Sequence, residues 1–391
     1  MRKRRDRFGR YVLFFGIILA ASAAFVVFYE VAPSFFPLRY ELKEQQTVES
    51  IPPEPAVIHI STPAPVKAVY MSQCVASDKA FRARIADLIN KTELNSVVID
   101  IKDYSGRISF YSHNPLLASS TSPTCSARDM KEFIESLHQE SIYVIGRITV
   151  FQDPFFAKQR PDLAIKRDSD RTVVWKDKKG ISYIDPGAEE AWMYTVALAR
   201  EAYSIGFDEI NFDYIRFPSD GDMADIYFPF SEQFIHQDTG WGKAGVLRGF
   251  FSYLKRELKK DSITISADLF GMTTTNKDDL NIGQVLEDAL PNFDYIAPMV
   301  YPSHYPPTFI GFANPAEKPY EVVKYSMDEA VRRASTTPLK LRPWLQDFAL
   351  GAVYTPEMVR AQIQAVYDSG LTSWMLWDAA NTYTQGALLP E

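Results

Sequence analysis

Acidic side chains recur at alternate positions within several short apolar runs of this chain, and no other residue type is so well placed for chemistry. Val98, Asp100 and Lys102 share one parity in the run 95–102. Arg147 and Thr149 share one in 143–150, and Glu209, Asn211 and Asp213 share one in 207–215. Thr264, Ser266 and Asp268 align in 263–270, and Trp374, Leu376 and Asp378 in 373–379. Strand side chains alternate between faces, so each set points one way while the opposite parity is apolar. Carboxyl groups gathered in this manner can serve as general acid, base or nucleophile. Metal chemistry lacks its residues. The five histidines (His59, His113, His138, His236 and His304) form no metal-ligand spacing and no HExxH, and two cysteines cannot build a structural zinc site. Neither a metal nor a cofactor is expected, and the carboxylates must carry any reaction.

Those runs need a scaffold. Strands are predicted at 66–72, 95–102, 143–150, 207–215, 263–270, 295–301, 341–347 and 373–379. Amphipathic stretches separate them: Lys79–Asn90, Ala127–Glu140, Ala188–Ile205, Val246–Lys260, Tyr320–Ala334 and Pro356–Ser369. Eight β units, each followed by helix-like sequence, imply a parallel sheet with helical crossovers, and eight strands close a (β/α)8 TIM barrel. An open doubly wound sheet is the alternative, weakened because no glycine-rich phosphate fingerprint follows the first strand. Long insertions before the fourth strand (Trp175-Lys176-Asp177, Tyr183 to Gly187) and after it (Ile226 to Phe230, ending near Trp241) lie where such barrels shape a substrate groove. The polar parity then faces the barrel axis and gathers at strand C-termini, where barrel enzymes place their catalytic groups. Burying unpaired charge costs several kcal/mol, so the competing reading is a salt-bridge layer in which Asp100, Lys102, Arg147, Asp213 and Asp268 neutralise one another.

The chain begins differently. Residues 1–10 are strongly basic, and 11–29 (YVLFFGIILAASAAFVVFY) carry no charge over roughly the length that spans a bilayer. This reads as a single transmembrane signal anchor with its basic end cytoplasmic, which places the catalytic domain outside the cytoplasmic membrane. A cleaved signal peptide is the rival, with Ala21-Ser22-Ala23 as its site, opposed by the apolar run continuing through Phe28. Residues 30–65, rich in proline, read as an extended spacer, with the domain occupying 66–391. Outside the cytoplasm Cys74 and Cys125 can pair, and both fall near the same end of the barrel, so a disulfide is a candidate. The net charge of −7 excludes a nucleic-acid partner. Aromatic content (Tyr 21, Phe 26, Trp 6) fits either a large core or a cleft in which rings stack on sugars.

The run Val97-Val98-Ile99-Asp100-Ile101-Lys102-Asp103 with Gly106, and Phe212-Asp213-Tyr214-Ile215-Arg216-Phe217-Pro218, resemble the glycoside hydrolase family catalogued as DUF4015. Ala297-Pro298-Met299-Val300-Tyr301-Pro302 and Trp377-Asp378 resemble it too. The resemblance spans nearly everything from Val66 onward and implies a TIM-barrel enzyme that cleaves polysaccharide or oligosaccharide. Such cleavage uses two carboxyl groups. Asp213 is assigned as nucleophile or base and Asp268 as general acid, with Asp100 and Asp378 as rivals for either role. Arg147 and Arg216 are expected to hold Asp213 or bind substrate, and Arg216 has a structural salt bridge as its alternative. Lys102, Asp103 and Asn211 are further candidate substrate contacts. Tyr214, Tyr301, Trp344 and Trp377 are candidate stacking platforms, Trp377 the weaker because parity turns it outward. Gln346 is placed to hydrogen-bond sugar hydroxyls, and His304 to assist. A non-catalytic glycan-binding barrel and a transglycosylase are the alternatives.

Overall fold

Every run expected to be a strand is one. The computed structural model describes residues 57–235 and 242–390, with Gly16 and residues 19–22 ahead of them. The strands are β1 (Lys67–Met71), β2 (Ser96–Lys102), β3 (Tyr143–Thr149), β4 (Glu209–Asp213), β5 (Thr264–Phe270), β6 (Tyr295–Met299), β7 (Trp344–Gln346) and β8 (Trp374–Trp377). All pair in parallel, in sequence order, and β8 closes on β1. The weakest seam is β6–β7, where Met299 pairs with Trp344 and an isolated bridge joins Ile296 to Leu341.

Six long helices form the outer layer: α1 (Lys79–Asn90), α2 (Met130–Gln139), α3 (Glu189–Ser204), α4 (Gly242–Leu258), α5 (Pro319–Ala334) and α6 (Pro356–Asp368). Local chemistry fixes their starts. Asp78 accepts hydrogen bonds from the Ala80 and Phe81 amides at α1. Thr355 accepts from Met358 at α6, with Pro356 in the first turn, where its missing N–H is not needed. Two expected crossovers fall short. Only a 3₁₀ turn, Gly271–Thr274, and a four-residue helix, Leu286–Ala289, separate β5 from β6, and only a 3₁₀ turn follows β8.

Two apolar populations result. Ile99, Ile101, Val144, Ile148, Ile210, Phe212 and Leu269 pack outward against the helices. Ala68, Val98, Tyr143, Ile145, Ala297, Trp344 and Met375 fill the barrel axis. Beneath them a buried Arg342–Glu209 pair at 2.9 Å, bonded by the Tyr143 hydroxyl at 3.1 Å, closes the floor.

The chain divides into two compact units at Ala56/Val57. In the barrel unit, residues 57–65 lie against the strand N-termini instead of standing off as spacer. The Ile60 amide donates to Asp208 at 2.8 Å, His59 stacks on Tyr203 at 3.9 Å, and Thr62 bonds Tyr143 at 2.9 Å. The expected membrane-spanning segment 11–29 lies mostly outside the described residues, as does 30–56. Among the described residues no helix is long and apolar enough to cross a membrane.

Cys74 and Cys125 are joined, with Cα atoms 4.3 Å apart. They tie the turn after β1 to the loop after β2. The bridge closes a loop 51 residues long, so by loop-closure entropy its loss is worth about 4 kcal/mol. Urea unfolding of Cys74→Ser/Cys125→Ser is expected to show an unfolding free energy lower by that amount, and so a lower midpoint, at an unchanged fold.

Candidate active site

The C-terminal ends of β2 to β5 bring four charged side chains to one point. Arg147, rising from β3, donates from Nη1 to Asp100 Oδ1 at 2.6 Å. Its Nε and Nη2 both donate to Asp213 Oδ2, the former at 3.1 Å, and Asp268 Oδ2 lies 3.6 Å from the same Nε. The register makes this meeting unavoidable: Arg147 sits beside Asp100 on one side and Asn211 on the other, with Asp213 one pleat further along.

Three carboxyl groups around one guanidinium cannot all be charged without a deficit of cations. The deficit falls on Asp268. Burial raises its pKa well above the usual carboxylate range, and the neighbouring Asp213 charge pushes it further; Arg147, Asn211 and Trp344 only partly oppose this. Asn211 Nδ2 donates to Asp268 Oδ1 at 2.9 Å and Trp344 Nε1 to the same oxygen at 2.8 Å, so the carboxyl is held in one orientation. Asp100, buried and bonded by the Tyr70 hydroxyl, is pushed up to about 6. The salt-bridge layer is therefore real in part, yet it is not self-neutralising.

Above this cluster opens a cavity of about 280 Å³ lined by Arg147, Asp213, Tyr214, Arg216, Asp268 and Tyr301 among the expected residues. Asp213 and Asp268 form its floor and are only 3% and 1% exposed. Tyr214 adopts φ 51°, a left-handed backbone that costs a non-glycine residue of the order of 1 kcal/mol or more. That bend turns its amide onto Asp213 Oδ1 at 2.5 Å while its ring faces the cavity. The Tyr301 hydroxyl is buried beside the carboxyls without a hydrogen-bond partner.

Other expected contacts are not there. Lys102 was placed inward by parity, but a bulge follows Asp100: Asp100 pairs with Arg147 and Lys102 already with Ile148. The extra residue turns Lys102 out toward α3, where it pairs with Asp153 at 2.5 Å over the Tyr194 ring. Asp103 accepts from the Ser105 amide and hydroxyl and shapes the turn at Gly106. Asp378 misses because β8 runs in the opposite parity. Met375 and Trp377 face inward, Trp374 and Leu376 face the helices, and Asp378 accepts from the Ala380 and Thr382 amides. Gln346 is fully buried and its side chain is consumed by backbone, accepting from Ser303 N and donating to Phe348 O. Trp344 and Trp377 exchange roles. Trp344 is buried as an anchor for Asp268, whereas Trp377 lines the cavity, stacked on Tyr70 at 3.9 Å.

His304, expected to assist, lies in the lining, and residues not anticipated complete the wall: Phe270, Gly271, Met272, Met299, Tyr305 and Phe348. Gly271 is required, since a Cβ there would stand 2.2 Å from Met299 O. Tyr70 and Phe348 carry the inward parity of Ala68 and Gln346, a signal present in the sequence. The aromatic insertion packs on itself, Phe228 against Phe217, and Trp175 is buried against Tyr183.

Residues 68–383 match the family described as "Putative glycosyl hydrolase domain" (DUF4015). The chain belongs to this family. Its fold is shared with solved glycosidase structures. The glycoside hydrolase domain of PgaB (BpsB) from Bordetella bronchiseptica is 14% identical with a TM-score of 0.60, over 81% of this chain and 95% of that one. Alpha-L-fucosidase isoenzyme 2 from Paenibacillus thiaminolyticus is 13% identical with a TM-score of 0.55, over 83% and 48%. The chitobiase of Flavobacterium johnsoniae is 11% identical with a TM-score of 0.53, over 82% and 47%. At these identities the likeness is one of fold. No curated protein matches the chain in sequence.

Proposed function

We propose that this barrel is a retaining glycoside hydrolase acting on envelope or extracellular polysaccharide, with Asp213 as nucleophile and Asp268 as general acid. The observation that carries the reading is the shared Arg147 Nε: two carboxyls from adjacent strands reach it on the floor of one cavity, and burial beside Asp213 favours the protonated form of Asp268. A carboxylic acid that keeps its proton near neutrality is what a glycosidic oxygen needs as it leaves. Asp213, with Arg147 and the Tyr214 amide on its two oxygens, is fixed as the attacking carboxylate.

Two oxygens that both approach one nitrogen at 3.1 and 3.6 Å stand no more than about 7 Å apart. That favours the retaining spacing of roughly 5–5.5 Å over the roughly 6.5–9.5 Å that leaves room for an attacking water. Asp213 then bonds to the anomeric carbon as Asp268 gives its proton to the departing oxygen. Water, deprotonated by Asp268, releases the sugar with its original configuration. Proton NMR of the first product formed is expected to show the anomer of the substrate; the opposite anomer would make Asp213 a base toward water.

The compartment is part of the same proposal. The basic segment 1–10 and the uncharged segment 11–29 support a single-pass anchor with the barrel on the outer side of the cytoplasmic membrane. The Cys74–Cys125 bridge suits an oxidising surrounding. Release of new reducing ends from envelope glycans by the purified protein, abolished in Asp213→Asn, tests the activity directly. A protein that binds such glycans and never cleaves them would be a binding barrel.

A further inference from the structure

We infer that the mouth of this cavity selects sugars bearing a carboxylate, with Arg216 as the group that reads it; this rests on the carbohydrate-cleaving reading of the site. Arg216 follows β4 and lies over the Tyr214 ring at 4.8 Å. Its Nη1 donates to Phe217 O at 3.1 Å and Ser219 Oγ at 3.2 Å. Both contacts use the same nitrogen. Among the described residues Nε and Nη2 have no hydrogen-bond partner and Arg216 forms no ion pair. The free edge is the one that matches a carboxylate with two parallel hydrogen bonds. The guanidinium is thus held by ring and backbone with its recognition edge unused.

The surrounding charges do not cancel it. Arg147, the other cation of the lining, is saturated by Asp100, Asp213 and Asp268. Asp177 lies close enough to be felt by Tyr183 and Tyr214, but it is occupied by the Lys179 and Ile181 amides. Asp220 is felt by Tyr183 and also makes no pair with Arg216. His304 on the facing wall is kept neutral by burial. Asp100 and Asp213 counter Arg147, so Arg216 is the guanidinium of the lining left without a carboxylate partner among the described residues. The net charge of −7 does not repel an acidic chain from such a spot, because at physiological salt charges beyond roughly 8 Å are screened.

A neutral sugar would use Arg216 as one hydrogen-bond donor among several. An acidic one would gain a charge-assisted pair, and the two cases separate by experiment. The full chain carrying Asp268→Asn keeps the charge of the protonated acid and slows turnover of such oligomers by about 10²–10⁴-fold. Its affinity is measured calorimetrically for oligomers of galacturonate, mannuronate and glucuronate, and for galactose, mannose and glucose oligomers of equal length. At least one acidic oligomer is expected to bind about tenfold or more tighter than its neutral counterpart. That margin should shrink as NaCl rises from roughly 50 to 500 mM. Adding Arg216→Gln should erase it, and Arg216→Lys should restore part. Equal binding of the neutral oligomers, no binding of any acidic one, or indifference to Arg216→Gln overturns the inference. Reducing-end release by the unmutated chain on the same panel is read separately. Acidic oligomers bound but uncut would refute the hydrolase reading and leave this one standing; neutral oligomers cut preferentially would do the reverse.

Discussion

Asp268→Asn is expected to lower the rate on natural glycans by about 10²–10⁴-fold, the range contributed by a positioned general acid. It should leave much of the rate on aryl glycosides whose phenol departs without help. Asp213→Asn is expected to abolish both, since no leaving group replaces a missing nucleophile. The contrast is the diagnostic. The pH profile adds an independent reading. In the unmutated chain Asp268 must be protonated to act, and burial next to Asp213 raises its pKa. Activity should therefore persist from acid toward neutral pH and fall as pH rises through that raised value. In Asp268→Asn the falling limb disappears on activated substrates, because the group whose ionisation caused it is gone. A limb that survives belongs to another acid, and the raised Asp100 beside Arg147 would be the first alternative.

Folding should be nearly unchanged in that variant, for a physical reason that also limits what can be read from sequence. Asp268 accepts from Asn211 and Trp344, and an amide oxygen can accept the same two bonds. The alternation of β4 and β5 was enough to place Asp213 and Asp268 on the axis, because both strands are regular and their register shifts nowhere. The same argument failed wherever regularity failed. In β2 a single bulged residue sent Lys102 to the helix side. In β8 both parities contain large apolar residues, so one carboxylate at the end decided the assignment and decided it wrongly. Trp374 is the helix-facing residue, its indole bonded to Tyr367 at 3.0 Å. Aromatic side chains at a barrel axis are not distinguishable by type from those outside it. Their partner, Asp268 for Trp344 or Tyr70 for Trp377, is what separates anchor from platform.

The family's motifs divide along the same line. Asp213, Tyr214 and Arg216 of the β4 motif all face the cavity. In the β2 motif only Asp100 belongs to the charged cluster, while Asp103 and Gly106 build a turn. Gly106 has φ 77°, and a Cβ there would fall 2.0 Å from Asp153 Oδ1, the partner of Lys102. That motif therefore holds a buried ion pair and a tight loop in place, and Asp100 reaches the chemistry through Arg147 alone.

Arg147→Met is expected to be the most damaging single change to the barrel, costing about 3–5 kcal/mol near pH 8, as for loss of one partner from a buried ion pair. Methionine fills much of the volume, so the loss is electrostatic: three carboxyls would share the floor with no cation among them. Asp100 and Asp268 would answer by holding their protons. A carboxyl whose folded pKa is raised adds stability that is complete below its unfolded pKa and is lost as pH rises through the folded value. Asp100 already behaves this way, pushed up to about 6 by burial with Arg147 opposing, and burial beside Asp213 raises Asp268 as well. Without the guanidinium, which opposes both shifts, Asp100 and Asp268 should rise further. The deficit of Arg147→Met against the unmutated chain is therefore expected to be largest near pH 8 and to narrow toward pH 5. Urea unfolding at the two pH values measures it. A deficit that is the same at both would mean that Arg147 acts by packing, through its contacts with Tyr70 and Trp377, and not by countering the carboxylates. Activity should be absent throughout, because the hydrogen bonds from Arg147 that aim Asp213 are gone.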